Sequence, residues 1–243
     1  MTAATSGRSA GESAAGQSAG GQLSLGGEWP AGQSAGGEIS TSQGPARVEL
    51  EAPGGVTAPS FLLALTHGAG GTVAAPDLLA VRNVALRLGG AVALITQPYR
   101  VRGARAPGNA SRQDEAWEEI IGSQRISGIP LIQGGRSNGA RVACRTASSV
   151  GAAGVIALAF PLRPPGRRTP VAVTRAGELL QAIRGGANVL VVNGDRDPFG
   201  IPAADEATRV VVLKGETHSL SRNPAAVSEA VAGWLSDVLP KLR

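Results

Sequence analysis

The stretch I-P-L-I-Q-G-G-R-S-N-G-A-R, residues 129–141, decides how this chain is read. Its first half is a short apolar run ending in two glycines, the mark of a buried strand that stops abruptly. Its second half, from Asn138 to Ser148, carries helical spacing. Between the two lies G-x-S-x-G, as Gly135-Arg136-Ser137-Asn138-Gly139. A serine at so tight a strand-to-helix turn must adopt a strained backbone. The glycines two before and two after it let strand and helix approach without Cβ clashes. Its hydroxyl then projects from the C-terminal edge of a sheet, beside the first N–H groups of a helix.

Outward from this turn the chain alternates. F-L-L-A-L-T-H (61–67), A-V-A-L-I-T-Q (91–97), residues 153–160 and A-N-V-L-V-V-N-G (187–194) are continuous apolar runs that suit parallel strands buried on both faces. Residues 209–213 read as a further strand, and residues 47–50 as a short edge strand. Helical spacing separates them: residues 76–88, stopped by Gly89; residues 111–121, with Ser111 as N-cap; and residues 174–183. A final amphipathic helix spans residues 224–239. Strands divided by helices of this length imply right-handed βαβ units and a mostly parallel sheet with helices on both faces. The expected fold is α/β, in a single domain over residues 45–243.

Residues 1–44 differ in kind, being almost wholly Gly, Ser, Ala, Gln and Thr, with A-G-Q-S-A-G-G at both 15–21 and 31–37. Such composition buries too little apolar area to offset chain entropy, so a disordered tail is expected, with Trp29 an incidental aromatic. The tail holds Arg8 against Glu12, Glu28 and Glu38, so the formal charge of +5 for the whole chain becomes +7 for the domain. Nearly all the basic residues are arginine and aromatic residues are only 3%. With so few stacking platforms, the balance weighs against nucleic acid as the partner. One cysteine and two histidines exclude a disulfide framework and zinc-finger ligand sets. The longest apolar stretch is too short for a membrane span. The start, M-T-A-A-T-S-G-R-S-A-G-E-S, lacks the basic and apolar regions of a signal peptide, so a cytoplasmic location is expected.

A serine at neutral pH needs a base, and the base needs an orienting acid. Two loops at the same sheet edge supply them. G-D-R-D-P-F-G (194–200) follows one strand and G-E-T-H-S-L (215–220) follows the next. His218 is the expected general base. Asp197, clear of its strand, is the expected acid, with Asp195 as the alternative. The order serine, acid, histidine is the chain order that accompanies a G-x-S-x-G turn. An oxyanion hole would combine the Asn138 N–H with one from the loop His67-Gly68-Ala69-Gly70-Gly71, most naturally that of Ala69. His67 precedes the serine and reads as a hydrogen-bonding structural residue.

T-H-G-A-G-G, Q-P-Y-R, G-G-R-S-N-G-A-R, G-D-R-D-P-F-G and T-H-S-L, in this order, resemble an α/β-hydrolase-like family. Its domain also occurs in a subunit of the nuclear non-specific-lethal histone acetyltransferase complex and in a testis-expressed protein. Dienelactone-hydrolase-like enzymes are more distant relatives. The resemblance covers roughly residues 60–240. It implies a Ser137, Asp197, His218 triad acting on a small-molecule carboxylic ester or thioester, with no cofactor or metal. Asn138 and Ala140 depart from the family's G-G-R-S-M-G-G-R. Some family members serve as interaction modules, so a non-catalytic binding module is the rival expectation. The short basic loop 161–168 implies a minimal cap. Arg136 is expected to pair with an acid, with a substrate anion as the alternative, and Arg163, Arg167, Arg168 and the 100–105 arginines to sit in solvated loops, with steering of anionic substrates as the alternative. Cys144, Trp117 and Trp234 are expected in the core.

Overall fold

The computed structural model describes residues 34–54, 58–164, 174–205 and 208–242. Its strands are β1 (Ser34–Thr41), β2 (Gly44–Glu51), β3 (Leu62–Thr66), β4 (Ala91–Thr96), β5 (Leu131–Arg136), β6 (Gly154–Leu158), β7 (Asn188–Gly194) and β8 (Thr208–Leu213). Its helices are α1 (Pro76–Arg87), α2 (Pro98–Val101), α3 (Ala110–Gln124), α4 (Asn138–Thr146), α5 (Ala176–Arg184) and α6 (Pro224–Val238). The strands form one mixed sheet in the order β1-β2-β4-β3-β5-β6-β7-β8. The β1–β2 and β2–β4 pairings are antiparallel, and all the others are parallel.

The continuous apolar runs divide their side chains between two cores, as the period of two requires. Leu62 and Ala64, Val155 and Ala157, and Val189 and Val191 face α3, α4 and α5, where Trp117, Val142 and Cys144 also pack. Leu63 and Leu65, Ile156 and Leu158, and Leu190 and Val192 face α1 and α6, beside Leu78, Val81 and Trp234. Both faces are therefore covered, which is why these strands read as unbroken hydrophobic text.

The sheet begins earlier than composition implies. Residues 34–41, inside the stretch expected to be a tail, pair along their whole length with β2. The residues expected as an edge strand are therefore covered on both sides. The pairing is made by main-chain groups, so it needs no apolar alternation, and Ile39 packs against the core. The connecting turn is fixed to α3: the Ser42 N–H donates to Glu119 Oε2 at 2.7 Å and Gln43 Nε2 to Glu115 Oε2 at 3.3 Å. Residues 1–33, with Trp29, lie outside the described residues, as do residues 165–173, which include Arg167 and Arg168 of the basic loop. The α3 N-cap is Asn109 and not Ser111: the Asn109 side chain accepts from the Ser111 N–H at 2.8 Å. Both are good capping types, and the two-residue shift lets Asn109 serve the first free N–H groups. Among the described residues no helix is long and apolar enough to cross a membrane.

Strand order reverses at β3, since β4 lies on one side of it and β5 on the other. Open α/β sheets gather ligands at such a switch point, beyond the carboxyl ends of the strands. The loops after β3 and β5 are those that carry His67 to Gly71 and Ser137.

Candidate active site

Ser137 stands between β5 and α4 with φ 53° and ψ −109°, a conformation uncommon outside glycine. Its N–H donates to Leu158 O at 2.9 Å, so the turn is held from the neighbouring strand. The flanking glycines are required by close approach. A Cβ on Gly135 would lie 2.5 Å from Thr66 O, and one on Gly139 would lie 2.7 Å from the same atom. Ala140, by contrast, is fully buried, and its methyl group is part of the core.

The turn brings Ser137 to His218 across 81 residues of chain, with Ser137 Oγ 2.8 Å from His218 Nε2. On the other side of the imidazole, Nδ1 is 2.8 Å from Asp197 Oδ2. The Asp197 carboxylate is wholly buried and His218 is 24% exposed, so the chain of contacts runs from the interior out to the cleft. Asp197 is itself held: Oδ1 accepts from the Phe199 N–H at 2.9 Å and Oδ2 from Asn193 Nδ2 at 3.3 Å. Asn193 also bridges the Phe160 backbone at both its N–H and its carbonyl. The Phe199 ring meets the His218 ring edge to face at 4.6 Å. Asp195, the alternative acid, is occupied elsewhere and accepts from the Gly215 N–H at 2.7 Å.

The glycine loop after β3 is fastened by His67. The Gln97 N–H donates to His67 Nε2 at 3.1 Å, which puts the imidazole proton on Nδ1, where it donates to Gly68 O at 2.9 Å. Gly68 O also accepts from the Gly71 N–H at 3.0 Å. With that carbonyl fixed, the planar trans peptide points the Ala69 N–H to the opposite side. Arg100 tightens the same loop, its Nε donating to Gly71 O at 3.1 Å. Gly68 sits against the nucleophile turn, where a Cβ would lie 3.3 Å from Ser137 Cβ. Gly70 has φ +69°, the left-handed conformation that closes the loop. Asn138 begins α4, where N–H groups have no intrahelical acceptor. Its side chain donates to Gln113 Oε1 at 2.7 Å.

Gln113, Asn193 and Phe199 are the members of this neighbourhood that motif reading missed. Gln113 had a usable signal, because it shares the buried helical face of Ala116, Trp117 and Ile120. The partners of Asn193 are set by tertiary structure alone. Arg136 pairs with the buried Asp77 at 3.3 Å, as expected. Cys144 is buried, and burial pushes its thiol upward, away from nucleophilic use. Among the described residues no three His, Cys, Asp or Glu side chains gather as a metal would need.

Burial holds His67 below its ordinary value, against its hydrogen bond to Gly68, and it pushes the Asp77 carboxyl up to about 6, against the pull of Arg136. The two affect stability with opposite signs. Below its ordinary value His67 is protonated in the unfolded chain before the folded one, so its contribution is lost as pH falls. Folded Asp77 keeps its proton up to about pH 6, so its contribution is present in acid and lost as pH rises through that value. Asp77→Asn should therefore gain on the wild type by on the order of 1–3 kcal/mol between pH 4 and pH 6.5. His67→Asn should lose less than the wild type on acidification. Urea unfolding across that range checks both, and curves parallel to the wild type would contradict them.

A serine at a strained strand-to-helix turn, a histidine against its hydroxyl and a buried carboxylate behind the histidine, all on a mostly parallel sheet, are the arrangement of the α/β serine hydrolase fold. The chain belongs to the alpha/beta hydrolase domain family, which matches residues 59–226. Solved structures agree on the fold. A serine hydrolase without a lid from Xanthomonas campestris superposes with a TM-score of 0.67 at 19% identity, covering 88% of this chain and 98% of that one. Dienelactone hydrolase from Anabaena variabilis gives 0.66 at 16%, covering 87% and 99%. Est1E from Butyrivibrio proteoclasticus, also solved with ferulic acid bound, gives 0.65 at 14%, covering 84% and 99%. No curated protein sequence matches the chain significantly.

Proposed function

We propose that this protein is a serine hydrolase that cleaves a carboxylic ester or thioester through an acyl-enzyme. The observation that carries this reading is the unbroken chain from Ser137 Oγ through His218 to the buried Asp197, with both contacts at 2.8 Å. Ser137 Oγ attacks the carbonyl carbon as His218 Nε2 takes its proton. Asp197 holds the imidazole in the tautomer that leaves Nε2 free and stabilises the imidazolium that forms. The tetrahedral oxyanion is met by the N–H groups of Asn138 and Ala69, two donors fixed in advance by α4 and by the His67 contacts. Collapse expels the alcohol or thiol, which takes the proton from His218. Water, deprotonated by the same nitrogen, then frees the acid and restores Ser137. An esterase from Pyrobaculum calidifontis and the dienelactone hydrolase, proteins of the same fold, lend support to acyl chemistry.

Rapid mixing with a 4-nitrophenyl ester tests the acyl-enzyme. A burst of 4-nitrophenolate matching the enzyme concentration, or trapping of the acyl group on Ser137 by mass spectrometry, is the expected result. Absence of both burst and turnover across acetyl to octanoyl esters and thioesters would overturn the reading.

A further inference from the structure

The cleft beside Ser137 and His218 has a volume of about 390 Å³, and its wall carries Arg136, Arg141 and Arg175 together with the apolar Pro107, Pro161 and Phe199. Most of the positive charge is already matched. Arg136 faces Asp77, and Arg141 is bound by two nitrogens to Glu178 at 2.6 and 3.0 Å. Arg145, just behind, is bound by two nitrogens to Asp114 at 2.6 and 2.8 Å. Arg175 is different. Its Nη1 donates only to the carbonyls of Pro161 at 3.2 Å and Arg163 at 3.4 Å, and no carboxylate reaches it among the described residues. The neighbouring residues 165–173 contain no acidic side chain to supply one.

Among the described residues, four guanidiniums therefore stand against three carboxylates. Asp197, also beside the cleft, has its oxygens taken by His218, Asn193 and Phe199. Arg175 is half-buried, and burial together with the adjacent Arg141 lowers its pKa. An anion placed against it would relieve both. The two carbonyls fix the guanidinium from one nitrogen and leave Nε and Nη2 as a fork suited to a carboxylate.

We infer that Arg175 is a specificity-determining residue and that the preferred substrate is an ester or thioester bearing one carboxylate. This rests on the serine-hydrolase reading. One unmatched guanidinium among the described residues of the wall matches a singly charged carboxylate better than a doubly charged phosphate. The surrounding proline and phenylalanine surfaces accept the hydrocarbon that joins the carboxylate to the scissile bond.

Two matched substrate pairs test the inference and locate the charge. Mono-4-nitrophenyl adipate against 4-nitrophenyl hexanoate places the carboxylate on the acyl half. 4-Carboxyphenyl hexanoate against its methyl ester places it on the leaving group. For at least one pair, kcat/KM should favour the anionic member by about tenfold or more. That ratio should collapse in Arg175→Gln, be partly retained in Arg175→Lys, and shrink in the wild type as salt is raised. Equal ratios in both pairs, or a preference that survives Arg175→Gln with the same salt dependence, would overturn it. A neutral fluorophosphonate separates the two levels. Labelling of Ser137 without an anionic preference removes the inference alone, whereas failure to label and to turn over any ester removes the hydrolase reading and the inference with it.

Discussion

Ser137→Ala is expected to lower kcat for an activated ester by about 10⁴- to 10⁶-fold while leaving the fold intact. The size of the effect follows from the role of the hydroxyl oxygen. Without it no acyl-enzyme forms, and direct attack by water must rely on the oxyanion donors alone. On the proposed mechanism those donors are the backbone groups of Asn138 and Ala69, so a residual rate above the uncatalysed one should persist. The fold should tolerate the change, because the strained turn is held by the Ser137 N–H to Leu158 O and by the flanking glycines, and not by the hydroxyl. Steady-state hydrolysis of 4-nitrophenyl butyrate, together with a thermal melt, checks both parts. Activity within tenfold of the wild type would show that Ser137 is not the nucleophile.

Asp197→Asn should be nearly as severe, on the order of 10⁴-fold in kcat at neutral pH. The carboxylate accepts three hydrogen bonds, from His218 Nδ1, the Phe199 N–H and Asn193 Nδ2. An amide can present its oxygen to the Phe199 N–H only by turning its NH₂ toward His218 and Asn193, both of which are donors. The imidazole then moves its proton to Nε2, where it can no longer accept from Ser137. Asp195→Asn is the matched control. Asp195 caps the turn at Gly215 and touches no part of the Ser137–His218 contact, so its loss should change kcat by less than about threefold. An equal effect of the two substitutions would contradict the assignment.

The parts of this molecule that were legible in sequence are those whose physics is local. Leu62 to Thr66 and Asn188 to Gly194 announce themselves as doubly buried strands because each carries four apolar residues in succession, 62–65 and 189–192. The Ser137 turn announces itself because no other residue pattern brings β5 and α4 so close. Strand β1 was hidden because main-chain pairing leaves little mark on composition, while its Ile39 packs against the core. Net charge hides a different feature. It does not say which arginines are matched, and Arg82, Arg136, Arg141, Arg145 and Arg209 each face a carboxylate distant in sequence. Pairing across 28 to 59 residues is set by the fold, so Arg175, without a carboxylate among the described residues, could not be picked out beforehand.

The most direct measurement of the central claim is covalent labelling of the folded, full-length chain by a fluorophosphonate, with the modified peptide located by mass spectrometry. The serine-hydrolase account predicts rapid, stoichiometric labelling at Ser137, its abolition in Ser137→Ala, and strong slowing in His218→Ala. Absence of labelling in the wild type, or undiminished labelling in Ser137→Ala, would contradict it and leave the chain as a binding module on a hydrolase fold.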